Sequence, residues 1–162
     1  ALGGGALMYY QQVYAYYDEV TPNGKTDVEI TPLDGRSPAP IAYADFRAID
    51  ASSSPIRYRA CFRTPLGLAE LSAAYQPATK AVPLTAPGWF KCFDAEEIGR
   101  AMKDGNARAF LGKNNVTYGI DRIVAIHADG RGWVWDQINH CGELVFDGQP
   151  APADCPPPPE GT

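Results

Sequence analysis

Four cysteines, Cys61, Cys92, Cys141 and Cys155, constrain what this 162-residue chain can fold into more than any other feature. Their number is even, none sits in a Cys-x-x-Cys pair, and only His127 and His140 are present as histidines, so a structural zinc site would need an irregular ligand set. Disulfides are the expected use, and they belong to the periplasm or another oxidising space. Of the three ways to pair four cysteines, Cys61 with Cys92 and Cys141 with Cys155 is expected, because each bond closes a local loop across segments that read as neighbours. Each adds ~3 to 4 kcal/mol if unstrained. Four buried thiols in a reducing compartment is the alternative.

A chain of this length hides roughly two-thirds of its extended surface on folding and does not need a metal to build a core. Its 45% hydrophobic and 20% charged residues suit a globular domain, and 15 prolines with 16 glycines require many turns. The formal charge of −5 and the lack of a basic run exclude nucleic acid as a partner, since phosphate binding draws its affinity from clustered Lys and Arg.

The first seventeen residues are apolar through Met8 and then hold Tyr9, Tyr10, Tyr14, Tyr16 and Tyr17. A helix over residues 1–10 rises only ~15 Å, about half of the roughly 30 Å hydrocarbon core. The segment is therefore expected to be the C-terminal, outer part of a transmembrane or anchor helix whose remainder lies upstream, with the tyrosines at the headgroup interface. An amphipathic core helix with Tyr10, Tyr14 and Tyr17 on one face is the other reading. Asp18 and Glu19 follow, and no Lys or Arg comes before Lys25, so the flank reads as non-cytoplasmic. The expected organisation is an anchor over 1–17, a periplasmic domain over 18–150 and a Pro-rich polyproline II tail over 151–162.

Within the domain, residues 27–33 and 41–49 read as short strands. In residues 56–63 Ile56, Tyr58, Ala60 and Phe62 alternate with Arg57, Arg59, Cys61 and Arg63, which predicts a half-buried strand with one basic face. Thr64 and Pro65 read as a helix start, with Leu68, Leu71 and Tyr75 on the buried side and a stop near Pro77. Asp94 with Glu97 forms a capping box, and Phe93 with Ile98 a hydrophobic staple, for a helix over 95–103 closed by Asp104-Gly105. Strands are expected over 107–113, 119–127 and 132–138, with Asp129-Gly130 as the last turn and Trp133 and Trp135 on one face. The fold class is α+β: a mainly antiparallel sheet with two short helices packed against it, stapled by disulfides.

These residues carry a resemblance. The Tyr-rich start, SSSPIRYRACFR at 52–63, APGWFKCFDAEEIG, ARAFLGK, DGRGWVWDQIN with Cys141, and DCPPPP together resemble an uncharacterised alphaproteobacterial family of small membrane-anchored proteins, a domain of unknown function. The resemblance covers nearly the whole chain. It implies a short cytoplasmic stub, one membrane helix and an envelope-side domain, and it implies no catalytic residues.

Read for chemistry, the residues favour a non-enzyme. His140-Cys141, beside Asp136 and Asn139, is a poor nucleophile and base pair if the two stand on a strand, where neighbours point to opposite faces. His127 and His140 with Asp129 or Asp136 read as solvated loop residues rather than metal ligands. Glu96 and Glu97 fit a helix first turn, and no phosphate-cradling loop, nucleophile elbow or haem-attachment motif is present. Asn115-Val116-Thr117 matches a glycosylation sequon that carries little weight outside eukaryotes.

The expected function is that of a non-catalytic accessory subunit of a bacterial inner-membrane complex, with no cofactor or metal. Its partners are the membrane and other membrane-protein subunits, and Arg57, Arg59, Arg63, Trp133 and Trp135 are its candidate interaction face. For the tryptophans a core position is the stronger reading, and for the arginines local pairing with acids is the alternative. A small-anion-binding or sensor module is the alternative, followed by a thiol redox or hydrolytic enzyme.

Overall fold

A computed structural model describes residues 17–159. Eight strands and three short helices follow one another: β1 Asp18–Val20, β2 Glu29–Ile30, β3 Ala39–Pro40, β4 Ala44–Asp50, β5 Arg59–Arg63, α1 Leu68–Ala74, α2 Ala95–Lys103, β6 Ala107–Thr117, β7 Ile120–His127, β8 Arg131–Ile138 and α3 His140–Val145. Six strands form one sheet in the order β1-β4-β5-β8-β7-β6, antiparallel at every pairing, and β2 pairs with β3 separately. The expected α+β class with a mainly antiparallel sheet is therefore observed, with one helix more than expected.

Both faces of the sheet are covered, which decides the fate of the alternating patterns. On the first face Ala48, Ala60, Phe62, Val124 and Val134 pack under α1 and the β2–β3 pair through Leu71, Val28 and Ile30. On the second, Ile49, Cys61, Ile123, Trp133 and Trp135 pack under α2 and the loop before it through Ile98, Phe90 and Phe93. Successive strand residues point to opposite faces, so in β5 both sets are buried and only Arg63 is exposed. A central strand covered on two sides cannot keep a solvated face.

The segment leading into α2 folds as its local sequence dictates. Asp94 accepts hydrogen bonds from the Glu96 and Glu97 amides at 3.0 and 3.2 Å, supplying the helix with its N-cap. Phe93 and Ile98 are both buried in the second core, as the staple requires. The reciprocal half of the expected capping box does not form, because the Glu97 carboxylate pairs with Arg131 at the start of β8 instead of returning to the Asp94 amide. At the other end Gly105, at φ 82°, closes the helix by donating to the Met102 carbonyl at 3.2 Å.

Elsewhere the structure moves the expected boundaries. The strand expected from residue 56 begins at Arg59, and the helix expected from Thr64 begins after Gly67. The Thr64 hydroxyl donates to the Ala42 carbonyl at 2.8 Å and accepts from the Leu66 amide at 3.3 Å, forming a turn before the helix rather than its cap. Phe62 lies on Gly132, its cross-strand partner, where any Cβ would strike the ring. α3 docks through Gly142 onto Gly119, where a Cβ on Gly119 would come within 2.7 Å of the Gly142 Cα. Two glycines in contact let this helix sit on the β6–β7 turn.

No described helix is long and apolar enough to cross a membrane. The anchor expected over residues 1–17 falls almost wholly outside the described residues, which include only Tyr17 of it.

Candidate functional site

The basic and aromatic face expected on β5 and β8 does not form. Arg59 is 4% exposed, and its guanidinium donates to the carbonyls of Thr85 at 3.0 Å, Ile56 at 2.7 Å and Tyr58 at 2.8 Å. It also lies 5.9 Å from the Phe93 ring centre, so it ties the 84–93 loop to the sheet. Arg57 stacks instead on Tyr17, whose hydroxyl accepts from it at 3.4 Å, and Arg63 is exposed at the far end of the strand. Trp133 and Trp135 are core residues at 2% and 0% exposure. Their indole N–H groups donate to the Cys92 carbonyl at 3.0 Å and to Gln137 Oε1 at 2.9 Å. The physical cause is the covering of the second face, which turns a basic, aromatic surface into an interior.

Of the tyrosines expected at a membrane interface, Tyr9, Tyr10, Tyr14 and Tyr16 lie outside the described residues. Tyr17 packs edge-on against Trp89 with ring centres 6.1 Å apart. Its ring is thus engaged by the domain.

Both disulfides join the expected partners, Cys61 with Cys92 and Cys141 with Cys155, at Cα separations of 6.2 and 6.0 Å, and no described cysteine is free. His140 and Cys141 are not on a strand: they open α3, capped by Asn139, which accepts from the Gly142 amide at 3.0 Å. The strand assumption failed because Asn139 caps a new helix directly after β8. His140 Nε2 stands 2.8 Å from Asp154 Oδ2, 3.5 Å from Cys155 Sγ and 3.9 Å from Cys141 Sγ. The histidine and the two sulfurs have the spacing of metal ligands. While the sulfurs are bonded to each other, neither offers the thiolate that zinc requires. His127 lies at the opposite end of β8, against Asp129 and Trp133. Asp136 belongs to neither histidine.

Asp136 is instead the carboxylate of a buried pair. Arg122 donates to it twice, at 2.8 and 3.1 Å, while lying 4.0 Å over the Tyr58 ring. Burial pushes the Tyr58 hydroxyl up to about 12 from its ordinary 10.0, with Arg122 pulling the other way. The fold favours the neutral phenol, so this contribution is intact below about pH 10 and is lost as pH rises towards about 12. Urea denaturation should show stability falling by about 1 kcal/mol more in the parent than in Tyr58→Phe between about pH 9 and about pH 11. Equal losses in both would show that Tyr58 is not the group responsible.

Two of the open clefts lie one on each side of a strap formed by residues 77–83. Gln137 holds the strap, accepting from the Val82 amide at 3.0 Å and donating to the Lys80 carbonyl at 2.9 Å. The first cleft, about 650 Å³, lies between α1, the strap, α2 and β6. The second, about 570 Å³, has Ile56, Leu84, Leu111 and Ile138 in its lining, with Lys80, Asp121, His140 and Glu143 as its charged or titratable members. Beside it, Asn115, Asp121 and Asn139 form a closed polar network: Asn139 Nδ2 donates to Asn115 Oδ1 at 2.9 Å and to Asp121 Oδ1 at 2.8 Å. The expected sequon asparagine is thus built into the β6–β7 turn. The sequence offered no signal for either cleft, because the strap that separates them reads only as a Pro-rich loop.

Fold and site define a class: a disulfide-stapled, mainly antiparallel α+β domain with open clefts on its surface. The chain belongs to the DUF6446 family, a family of unknown function, whose model matches residues 28–156. That span holds both disulfides, both clefts and His140 with Asp154. No match was found among curated proteins or among solved structures.

Proposed function

We propose that this chain is a membrane-anchored periplasmic protein acting as a non-catalytic accessory subunit of a bacterial inner-membrane complex. The observation that carries the reading is the second cleft. Its apolar lining reaches the surface at Ile138, which is 40% exposed at the end of β8, and charges of both signs surround it. An apolar centre with a polar rim is the anatomy of a protein–protein interface. The two disulfides support an oxidising compartment, and the apolar, Tyr-rich segment before Asp18 supports the anchor. The small-anion alternative, which would use the Arg57, Arg59 and Arg63 face, loses Arg59, whose guanidinium is satisfied by carbonyls.

Gentle detergent extraction and affinity purification of the full-length protein tests the proposal. A defined membrane protein should co-purify in stoichiometric amount, and Ile138→Glu should release it while leaving the melting temperature unchanged. Isolation of the parent as a lone monomer in repeated preparations overturns the reading.

A further inference from the structure

The first cleft has a character the second lacks. It has the volume of a small-molecule site, which runs from roughly 300 to 1,000 Å³, and most of its lining is apolar, including Tyr75, Val82, Met102 and Phe110. Its only charged lining residues are Lys103 and Arg108, both cations, in a chain with 19 acids and 14 bases. Among the described residues no carboxylate pairs with either one. Arg108 is instead held by a neutral partner, donating from Nη1 to Ser72 Oγ at 2.8 Å, which orients the guanidinium without neutralising it. The C-terminal end of α2 does not cancel this charge. Its last carbonyls, on Arg100, Ala101 and Met102, accept from the amides of Asp104, Asn106 and Gly105.

Gly99 supplies a second, independent observation. It lines the cleft from the middle of α2, where glycine is unfavourable relative to alanine. A Cβ there would meet nothing within 4 Å, so neither packing nor backbone conformation requires a glycine. What the missing side chain does is leave the wall of the cleft open.

We propose that this cleft binds a medium-chain amphipathic carboxylate, its aliphatic body on Val82, Met102 and Phe110 and its carboxylate at Arg108, with Lys103 as the second cation. Apolar burial supplies most of the affinity, and the charge-assisted hydrogen bonds from Arg108 select an anion over a neutral or cationic amphiphile. The proposal does not depend on the accessory reading, which uses the cleft on the other side of the strap.

The test is a titration of the isotope-labelled 162-residue chain with octanoate, followed by the backbone amide resonances of Gly99, Ala107 and Ala109, with octylamine and octanol titrated in parallel. Octanoate should shift these resonances saturably and bind about tenfold or more tightly than either control. Gly99→Leu, which fills the cleft and improves the helix, should abolish binding with an unchanged or higher melting temperature. Arg108→Gln should weaken octanoate about tenfold and leave octanol unaffected. The proposal is overturned if octanoate gives no saturable shift, if octanol or octylamine binds as well, or if Arg108→Gln binds octanoate like the parent.

Discussion

Replacing Cys61 and Cys92 together by alanine should lower the melting temperature by about 10 °C. The bond spans 31 residues. Constraining a loop of that length is worth ~3 to 4 kcal/mol in the unfolded state, and each kcal/mol moves the midpoint by about 2 to 4 °C in a domain of this size. The loss should be realised in full, because the bond fastens the loop carrying Phe90 and Phe93 onto the centre of the sheet. Cys61 is itself 8% exposed and sits beside Trp133 and Trp135. The Cys141–Cys155 bond has a shorter loop of 14 residues and joins a six-residue helix to a tail outside helix and strand. Its removal should shift the midpoint by only a few degrees, roughly half as much or less. Scanning calorimetry of the two double variants separates these cases. Equal shifts would mean that the tail contributes as much to the fold as the 84–93 loop does.

Asp136→Ala should cost about 3 kcal/mol or more, read from the urea midpoint at constant slope. The carboxylate is 6% exposed and accepts both arms of the Arg122 guanidinium, whose own side chain is 32% exposed. Removing the acid leaves a largely buried cation on the Tyr58 ring with no anion to balance it. The partial exposure of Arg122 lets water recover some of that loss, which sets the expectation at the lower end of the range for broken buried pairs. Replacing both partners with apolar residues, Arg122→Met with Asp136→Leu, should recover most of the stability, since no charge is then stranded. A double variant no more stable than Asp136→Ala alone would show that the pair contributes through packing shape and not through charge.

How far the fold could be read from the residues depended on whether the decisive interactions were local. The helix from Ala95 to Lys103 was legible to the residue because its cap, its staple and its closing Asp104-Gly105 lie within one short segment. The β7–β8 hairpin was legible for the same reason, through Asp129-Gly130 between two apolar runs. The cysteine pairing followed from count and spacing, and the paired residues stand within bonding reach. The helix at His140–Val145 was missed. Asn139 is an N-cap, but its helix is only six residues long and its first turn carries a histidine and a glycine, both poorer helix formers than alanine.

The candidate site was hardly legible at all. A strand alternating Arg and apolar residues specifies two different faces. It does not specify what will cover them. Only the folding of the 84–93 loop and α2 over the second face decided that Arg59, Trp133 and Trp135 would be interior, while α1 and the β2–β3 pair covered the first. The two clefts are likewise products of a strap held by Gln137, some 55 residues away in sequence from the amide it anchors. Thus the even count and local spacing of the cysteines pointed to two disulfides, and the fold realised that pairing by bringing each pair within bonding reach. Burial and cleft shape were decided by the tertiary structure, because both depend on which distant segment comes to lie on a face, and local sequence carries no record of that.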